Sequence, residues 1–236
     1  MSESTGAPAV IVTGATGNLG GAVAAALEAD GARVVLVGRS VDALRARFGE
    51  ETDRRLFVAA DLREQADASS VATRAVDRFG RIDALCNLAG GFRMGAPVHE
   101  TSDETWRFLF DLNARSVLTM SRAVVPRMIA QGGGAIVNVA AFAAQHGAAN
   151  MGAYCASKSV VIRLTESMAA ELRDRNVNVN CVLPTILDTP ENRRAMPDAD
   201  PMRWVAPADL ARVIVFLASP AARAVHGAAI PVTGLS

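Results

Sequence analysis

The stretch AVIVTGATGNLGG, residues 9–21, decides how this chain is read. Four apolar residues run into Thr13, and Gly14, Gly17 and Gly20 then follow a T-G-x-x-G-x-x-G pattern. An apolar run of that length predicts a buried strand, and the alanine-rich segment after it predicts a helix over 19–30. Glycines between a strand and a helix let the backbone turn tightly and approach a diphosphate, whose charge is favoured at a helix N-terminus. A purely structural turn is the competing reading. The position, after the first strand of an alternating chain, favours nucleotide binding.

Working outward, the alternation continues to the end of the chain. RVVLVG (33–38), LFVAA (56–60), DALCNLA (83–89), AIVNVA (135–140), VNVNCVL (177–183) and AAIPV (228–232) also read as strands. Several are almost wholly apolar, as expected of parallel strands covered on both faces. Helices are expected at 41–48, 65–79, 103–131, 154–174 and 207–218, and Thr101 and Glu104 have capping-box spacing before the fourth of the six. The expectation is an α/β fold: one domain over 1–236, with a doubly wound parallel seven-stranded sheet and helices on both faces. The least regular segment, 184–207, holds five prolines. A long loop of this kind in a compact domain is usually functional, so it is read as a lid over the site.

The second strand ends at Gly38-Arg39. An NAD-selecting site places Asp or Glu about 20 residues beyond the glycine turn, to bind ribose hydroxyls. Here Gly38 holds that position, and the Arg39 guanidinium can pair with a 2′-phosphate. Stacking on adenine, or simple solvation, is the alternative; the reading favours NADP(H) over NAD(H). Asp61, after the third strand, can accept from an adenine amino group or serve as an ordinary loop or cap residue.

The 236 residues carry 24 basic and 24 acidic side chains and a formal net charge of zero, which gives no support for nucleic-acid binding. The polar start MSESTGAP lacks the features of a signal peptide. No apolar run approaches the roughly 18 residues of a membrane span, so a cytoplasmic protein without membrane contact is expected. Cys86, Cys155 and Cys181 are too few and scattered for a disulfide framework or a metal site. His99, His146 and His226 show no ligand spacing, and no metal is expected.

Taken together, these residues resemble the short-chain dehydrogenase/reductase family over nearly the whole chain. The glycine turn, Asp61-Leu62, NLAG (Asn87–Gly90), Asn113, Tyr154-x-x-x-Lys158 and NCVLPTILDT (Asn180–Thr189) carry the resemblance. It implies a single Rossmann-type domain with nicotinamide at the carboxyl ends of the strands. It implies Tyr154 as proton donor or acceptor, Lys158 as its electrostatic partner and ribose ligand, and Asn113 in a proton relay. A free tyrosine has a pKa of about 10, and the Lys158 ammonium one turn away, with a cationic nicotinamide, would lower it. Cofactor contacts implied by the resemblance fall on Gly14, Thr16, Gly17, Asn18, Leu19, Gly20, Arg39, Asp61, Leu62, Asn87, Ala89, Gly90, Tyr154, Lys158, Pro184, Thr185, Leu187 and Thr189. Asn87 is expected to tie strands together rather than do chemistry, and Thr185 stands where the family often has Gly. A homodimer or homotetramer built on the long helices is also implied. Trp106 and Phe110, at i and i+4, are expected to pack at a core or subunit interface.

One family element is missing. The Ser usually found about thirteen residues before the Tyr is Ala141 here. Losing one preorganised donor typically costs ~10²–10³ in rate. The chain binds nucleotide without turnover, or another donor (Gln145, His146 or Asn150) substitutes, or the acceptor is conjugated and needs no such donor. A second resemblance favours the last. LPTILDTPENRRAMPDAD followed by RWVAP, with AGGF (89–92), is similar to dihydropteridine reductases, which carry Ala at that position and reduce a conjugated C=N. The expected function is therefore NAD(P)H-dependent reduction of a conjugated C=N or C=O in a small molecule. An ordinary ketoreductase and a silent nucleotide binder are the alternatives. Ala141, Gln145, His146 and Arg193 are the expected substrate contacts; solvation is the alternative for Arg193 and its neighbours Arg194 and Arg203.

Overall fold

A computed structural model describes residues 6–236. Residues 1–5, most of the polar start read above, lie outside the described residues. Strands β1 (Ala9–Val12), β2 (Arg33–Gly38), β3 (Arg55–Ala59), β4 (Ala84–Asn87), β5 (Gly134–Val139), β6 (Val177–Pro184) and β7 (Ala229–Val232) form one sheet. Their order is β3-β2-β1-β4-β5-β6-β7, and every neighbouring pair is parallel. All seven strands coincide with the apolar runs expected from the sequence, to within about two residues at each end.

Both faces of the sheet are covered. Ile11, Val35, Leu56, Leu85, Ile136 and Val179 point to one face, packed by α3 (Gln65–Phe79), α5 (Ser116–Ala130) and α6 (Gly152–Leu172). Val10, Val12, Val34, Leu36, Phe57 and Val137 point to the other, packed by α1 (Asn18–Ala29), α2 (Val41–Phe48) and α8 (Pro207–Leu217). Adjacent strand residues face opposite ways, which is why these strands are largely apolar on both faces. This is the doubly wound, Rossmann-type arrangement.

Two expectations need correction. The helix predicted over 103–131 is not one regular helix. α4 (Asp103–Phe110) and α5 are joined by a π-helical turn, Asp111–Arg115, that contains Asn113. Such turns often occur at functional sites, because one extra residue re-aims a side chain. The cap of α4 is Ser102, not Thr101: the Ser102 hydroxyl accepts from the Thr105 N–H at 3.2 Å, while Thr101 Oγ1 donates to the Pro97 carbonyl at 3.3 Å. The irregular segment 184–207 also contains a short helix, α7 (Pro190–Ala195), capped by Thr189 and started by Pro190.

Candidate active site

The sheet order reverses between β1 and β4, and this opens a crevice at the carboxyl ends of the strands. Gly14 adopts φ +63°, and a Cβ on it would lie 2.9 Å from the backbone of Ala89. The two turns bordering the crevice therefore touch. Thr13 fastens them: its hydroxyl accepts from the Leu88 and Ala89 N–H groups at 3.0 and 3.2 Å. A Cβ on Gly20 would lie 2.2 Å from the Gly14 carbonyl oxygen and 2.7 Å from Ala15 Cα. Backbone cannot move aside as a side chain can. Gly20→Ala is expected to destabilise the protein by at least about 2 kcal/mol, read as a lowered denaturation midpoint, and to weaken nucleotide binding. Gly17, the N-cap of α1, offers no capping side chain, so the first N–H groups of that helix can receive an anion. These turns fit the diphosphate of a nicotinamide cofactor.

Farther along the crevice, Gly38 is buried and closely packed. A Cβ there would meet Leu44 Cγ at 3.2 Å and Thr16 Cγ2 at 3.3 Å. Arg39 beside it is exposed. Asp61 lies at the expected place with its carboxylate engaged: Arg63 Nε donates to both oxygens at 2.8 and 3.1 Å. That hydrogen bonding, with the nearby Arg39 charge adding to it, holds the Asp61 carboxyl down at about 2. Leu62 is buried, and its carbonyl accepts from Thr119. The Asn87 amide donates to Asn138 at 2.9 Å and the Asn138 amide to Thr165 at 2.9 Å. As expected, Asn87 ties strands together.

Asn113 and Lys158 meet at Gly90, and Tyr154 lies one helical turn before Lys158 on α6. A Cβ on Gly90 would lie 3.1 Å from both Asn113 Oδ1 and Lys158 Nζ. Asn113, buried in the π turn, accepts from the Gly91 N–H at 2.8 Å and donates to the Gly91 carbonyl and to Ser157 Oγ at 3.0 and 2.9 Å. Ser157 in turn donates to the Tyr154 carbonyl at 2.8 Å. The Lys158 ammonium donates to the Val139 carbonyl at 2.9 Å, and burial pushes its pKa down to about 8. Lys158 alone does not lower Tyr154. Burial, with a smaller contribution from Cys155, pushes its hydroxyl up to about 12. Burial strips solvation from a phenolate here, while the Lys158 ammonium is engaged by the Val139 carbonyl. Phe92 packs edge-on against the Tyr154 ring with centroids 4.8 Å apart, and is 54% exposed.

Ala141 is buried at the end of β5, and Gln145, His146 and Asn150 are exposed on the turn after it. From the loop, Pro184 and Thr189 are buried, and Leu187 pairs with Val205. The Thr185 hydroxyl donates to the Thr233 carbonyl at 2.9 Å. Thr189 Oγ1 accepts from the Asn192 N–H at 3.2 Å, so it serves as a cap here. Arg193 is exposed and bound through two nitrogens to the Asp188 carboxylate. Trp106 and Phe110 stack at 4.1 Å, but Trp106 is 47% exposed and belongs to no core. Thr13 and Ser157 were not singled out from the sequence. A hydroxyl closing a buried strand, and one facing Asn113 from between Tyr154 and Lys158, were the available signals.

Among the described residues, no helix is long and apolar enough to cross a membrane. No group of three or more His, Cys, Asp or Glu among them is placed to hold a metal ion. A family profile described as short chain dehydrogenase matches residues 8–200. The chain is 36% identical over 236 residues to D-threitol dehydrogenase of Mycolicibacterium smegmatis, covering 95% of this chain and 90% of the relative. A solved 3-ketoacyl-(acyl-carrier-protein) reductase from Brucella melitensis, complexed with NADH, superposes with TM-score 0.86 at 30% identity, over 96% of this chain and 97% of that one. The L-sorbose reductase of Gluconobacter frateurii, complexed with NADPH and L-sorbose, gives TM-score 0.85 at 28% identity, over 97% and 95%.

Proposed function

We propose that this chain, which belongs to the short-chain dehydrogenase family, is an NAD(P)H-dependent reductase of a conjugated C=N or C=O in a small molecule. The cofactor, when bound, supplies hydride. Gly14, Gly17 and Gly20 would receive its diphosphate, and Lys158 its nicotinamide ribose. Arg39 would take a 2′-phosphate. The packing around Gly38 leaves little room for the carboxylate that selects NAD, so NADP(H) is favoured. The observation that carries the reading is the meeting of Asn113 and Lys158 over Gly90, one helical turn from Tyr154.

Tyr154 is the proton donor in this reading. With its hydroxyl pushed up to about 12, it is protonated at neutral pH, the state a reductase needs before transfer. Lys158 keeps positive charge beside the phenolate as it forms. Asn113, locked by Gly91 and Ser157, holds the Lys158 end of the relay. Ala141 offers a methyl where the family's Ser would steady an isolated carbonyl, so an acceptor that spreads charge over a ring is favoured. The exposed ring of Phe92 gives such an acceptor a flat apolar neighbour. The segment 184–207, with its resemblance to the dihydropteridine reductase loop, would cover it. A homodimer or homotetramer through the long helices belongs to the same reading.

The relatives favour a second reading. A polyol dehydrogenase and a sugar reductase are among them, and an ordinary ketoreductase would draw on Gln145 or His146 as substitute donor. NADPH and NADH oxidation is followed by absorbance across quinonoid dihydropterins, cyclic iminium ions, simple ketones and ketoses. Turnover on the first two classes, faster with NADPH, is expected; tight cofactor binding without turnover across the panel would sink both readings and leave a nucleotide binder. Ala141→Ser separates the two enzyme readings. It is expected to change turnover on conjugated acceptors less than about threefold and to raise activity on simple ketones by about tenfold or more. A wild-type enzyme already fast on ketoses, and unmoved by Ala141→Ser, would favour the second reading.

A further inference from the structure

The glycine turn and the irregular loop are joined directly. Asn18 Nδ2 donates 2.8 Å to Glu191 Oε2, across 173 positions of sequence. Asn18 is the first residue of α1, where the preceding Gly17 supplies no capping side chain. Glu191 is the second residue of α7, and its side chain is 63% exposed. The base of α7 is rigid. Thr189 caps it, Asn192 Nδ2 donates to the Leu187 carbonyl at 2.8 Å, and Asp188 holds Arg193 through two hydrogen bonds. Arg194 approaches the other Glu191 oxygen only to 3.8 Å, with both side chains largely exposed, so it neutralises that carboxylate weakly. The fold thus delivers a negative charge to the end of the crevice that attracts anions.

We propose that Glu191 is a determinant of cofactor affinity and release: its carboxylate, tied to Asn18, opposes the diphosphate at the start of α1 and keeps cofactor binding loose. The inference rests on the nucleotide reading of the glycine turn. Glu191 and a diphosphate held at the start of α1 would repel each other across a partly hydrated site, which corresponds to about three- to tenfold in affinity. A capped, preformed helix holds the carboxylate in place, which suits the role better than a floppy loop would. An enzyme whose turnover is limited by cofactor release gains from such an opposing charge.

The test is Glu191→Gln, which keeps an acceptor for Asn18 and removes the charge. Dissociation constants for NADPH and NADH are measured by nicotinamide fluorescence, and release rates by stopped-flow displacement, at about 20 mM and about 0.5 M salt. The variant is expected to bind both cofactors about three- to tenfold tighter and release them correspondingly slower at low salt, with the gap closing at high salt and the melting temperature unchanged. Equal or weaker binding by Glu191→Gln would overturn the proposal and make Asn18–Glu191 a neutral or supporting contact. Failure of the wild-type protein to bind either cofactor would instead overturn the nucleotide reading, and the inference with it.

Discussion

Tyr154→Phe is expected to lower turnover by about 10²–10⁴ while leaving cofactor dissociation constants within about a factor of two. The change removes one oxygen and keeps the ring. The edge-on contact with Phe92 survives, and the Ser157 hydroxyl bonds the backbone carbonyl of Tyr154, not its ring oxygen. A variant as fast as wild type on a good acceptor would remove Tyr154 from the chemistry. Because Tyr154 is the single tyrosine of the chain, its ionisation can be read without ambiguity from phenolate absorbance. In the cofactor-free protein the midpoint should lie well above the ordinary tyrosine value, toward about 12. Saturation with the oxidised, cationic cofactor should draw it down.

Lys158→Met is expected to act in opposite directions on activity and stability. Turnover should fall by about 10² or more, because the positive charge that offsets the forming phenolate is gone. Stability at pH 7 should rise by roughly 1–2 kcal/mol. Burial lowers the lysine from 10.5 to about 8, so its charged form is penalised in the folded state, and the lost hydrogen bond to Val139 offsets part of the gain. The pH dependence follows from the proton count. Between about 8 and 10.5 the unfolded chain holds a proton on Lys158 that the folded chain has released, so wild-type stability rises with pH across that window. The advantage of the methionine variant should therefore be full below about pH 8 and shrink above it. Chemical denaturation at pH 7 and pH 9.5 measures both values. A variant less stable than wild type at pH 7 would mean that the Val139 bond outweighs the desolvation of the ammonium.

The strands were legible because parallel strands buried on both faces need apolar residues at nearly every position, as β1 has throughout and β2 has after Arg33. The helix after Ser102 was legible as helix but not as interrupted, since a π turn changes hydrogen-bond partners without changing composition. Thr101 and Ser102 are both competent caps, and only the direction of the preceding chain selects the second. The prolines of 184–207 hid α7, although Pro190 at its first position, behind the Thr189 cap, is where a helix tolerates proline. In the candidate site, Tyr154 and Lys158 were readable from their spacing on one helix. The pairing of Asp61 with Arg63, the contact of Phe92 with Tyr154, and the reach of Glu191 to Asn18 depend on side-chain directions that sequence spacing does not encode. The upward shift of Tyr154 was missed for a related reason: proximity of a lysine is visible in sequence, and depth of burial is not.

The Asn87–Asn138–Thr165 chain has a consequence for how the sheet assembles. A strand that alternates polar and apolar residues has one permitted alignment, because a slip by one residue turns its apolar side to water. The central strands here are apolar on both sides, so a slipped β5 would still bury apolar groups against β4 and both helical layers. Asn87 and Asn138 face each other in the native alignment, and any other alignment would strand two buried amides without partners, at about 1–3 kcal/mol each. Two polar residues thus select one alignment in a sheet whose greasiness would otherwise accept several, and the crevice opens between turns that arrive at matching heights.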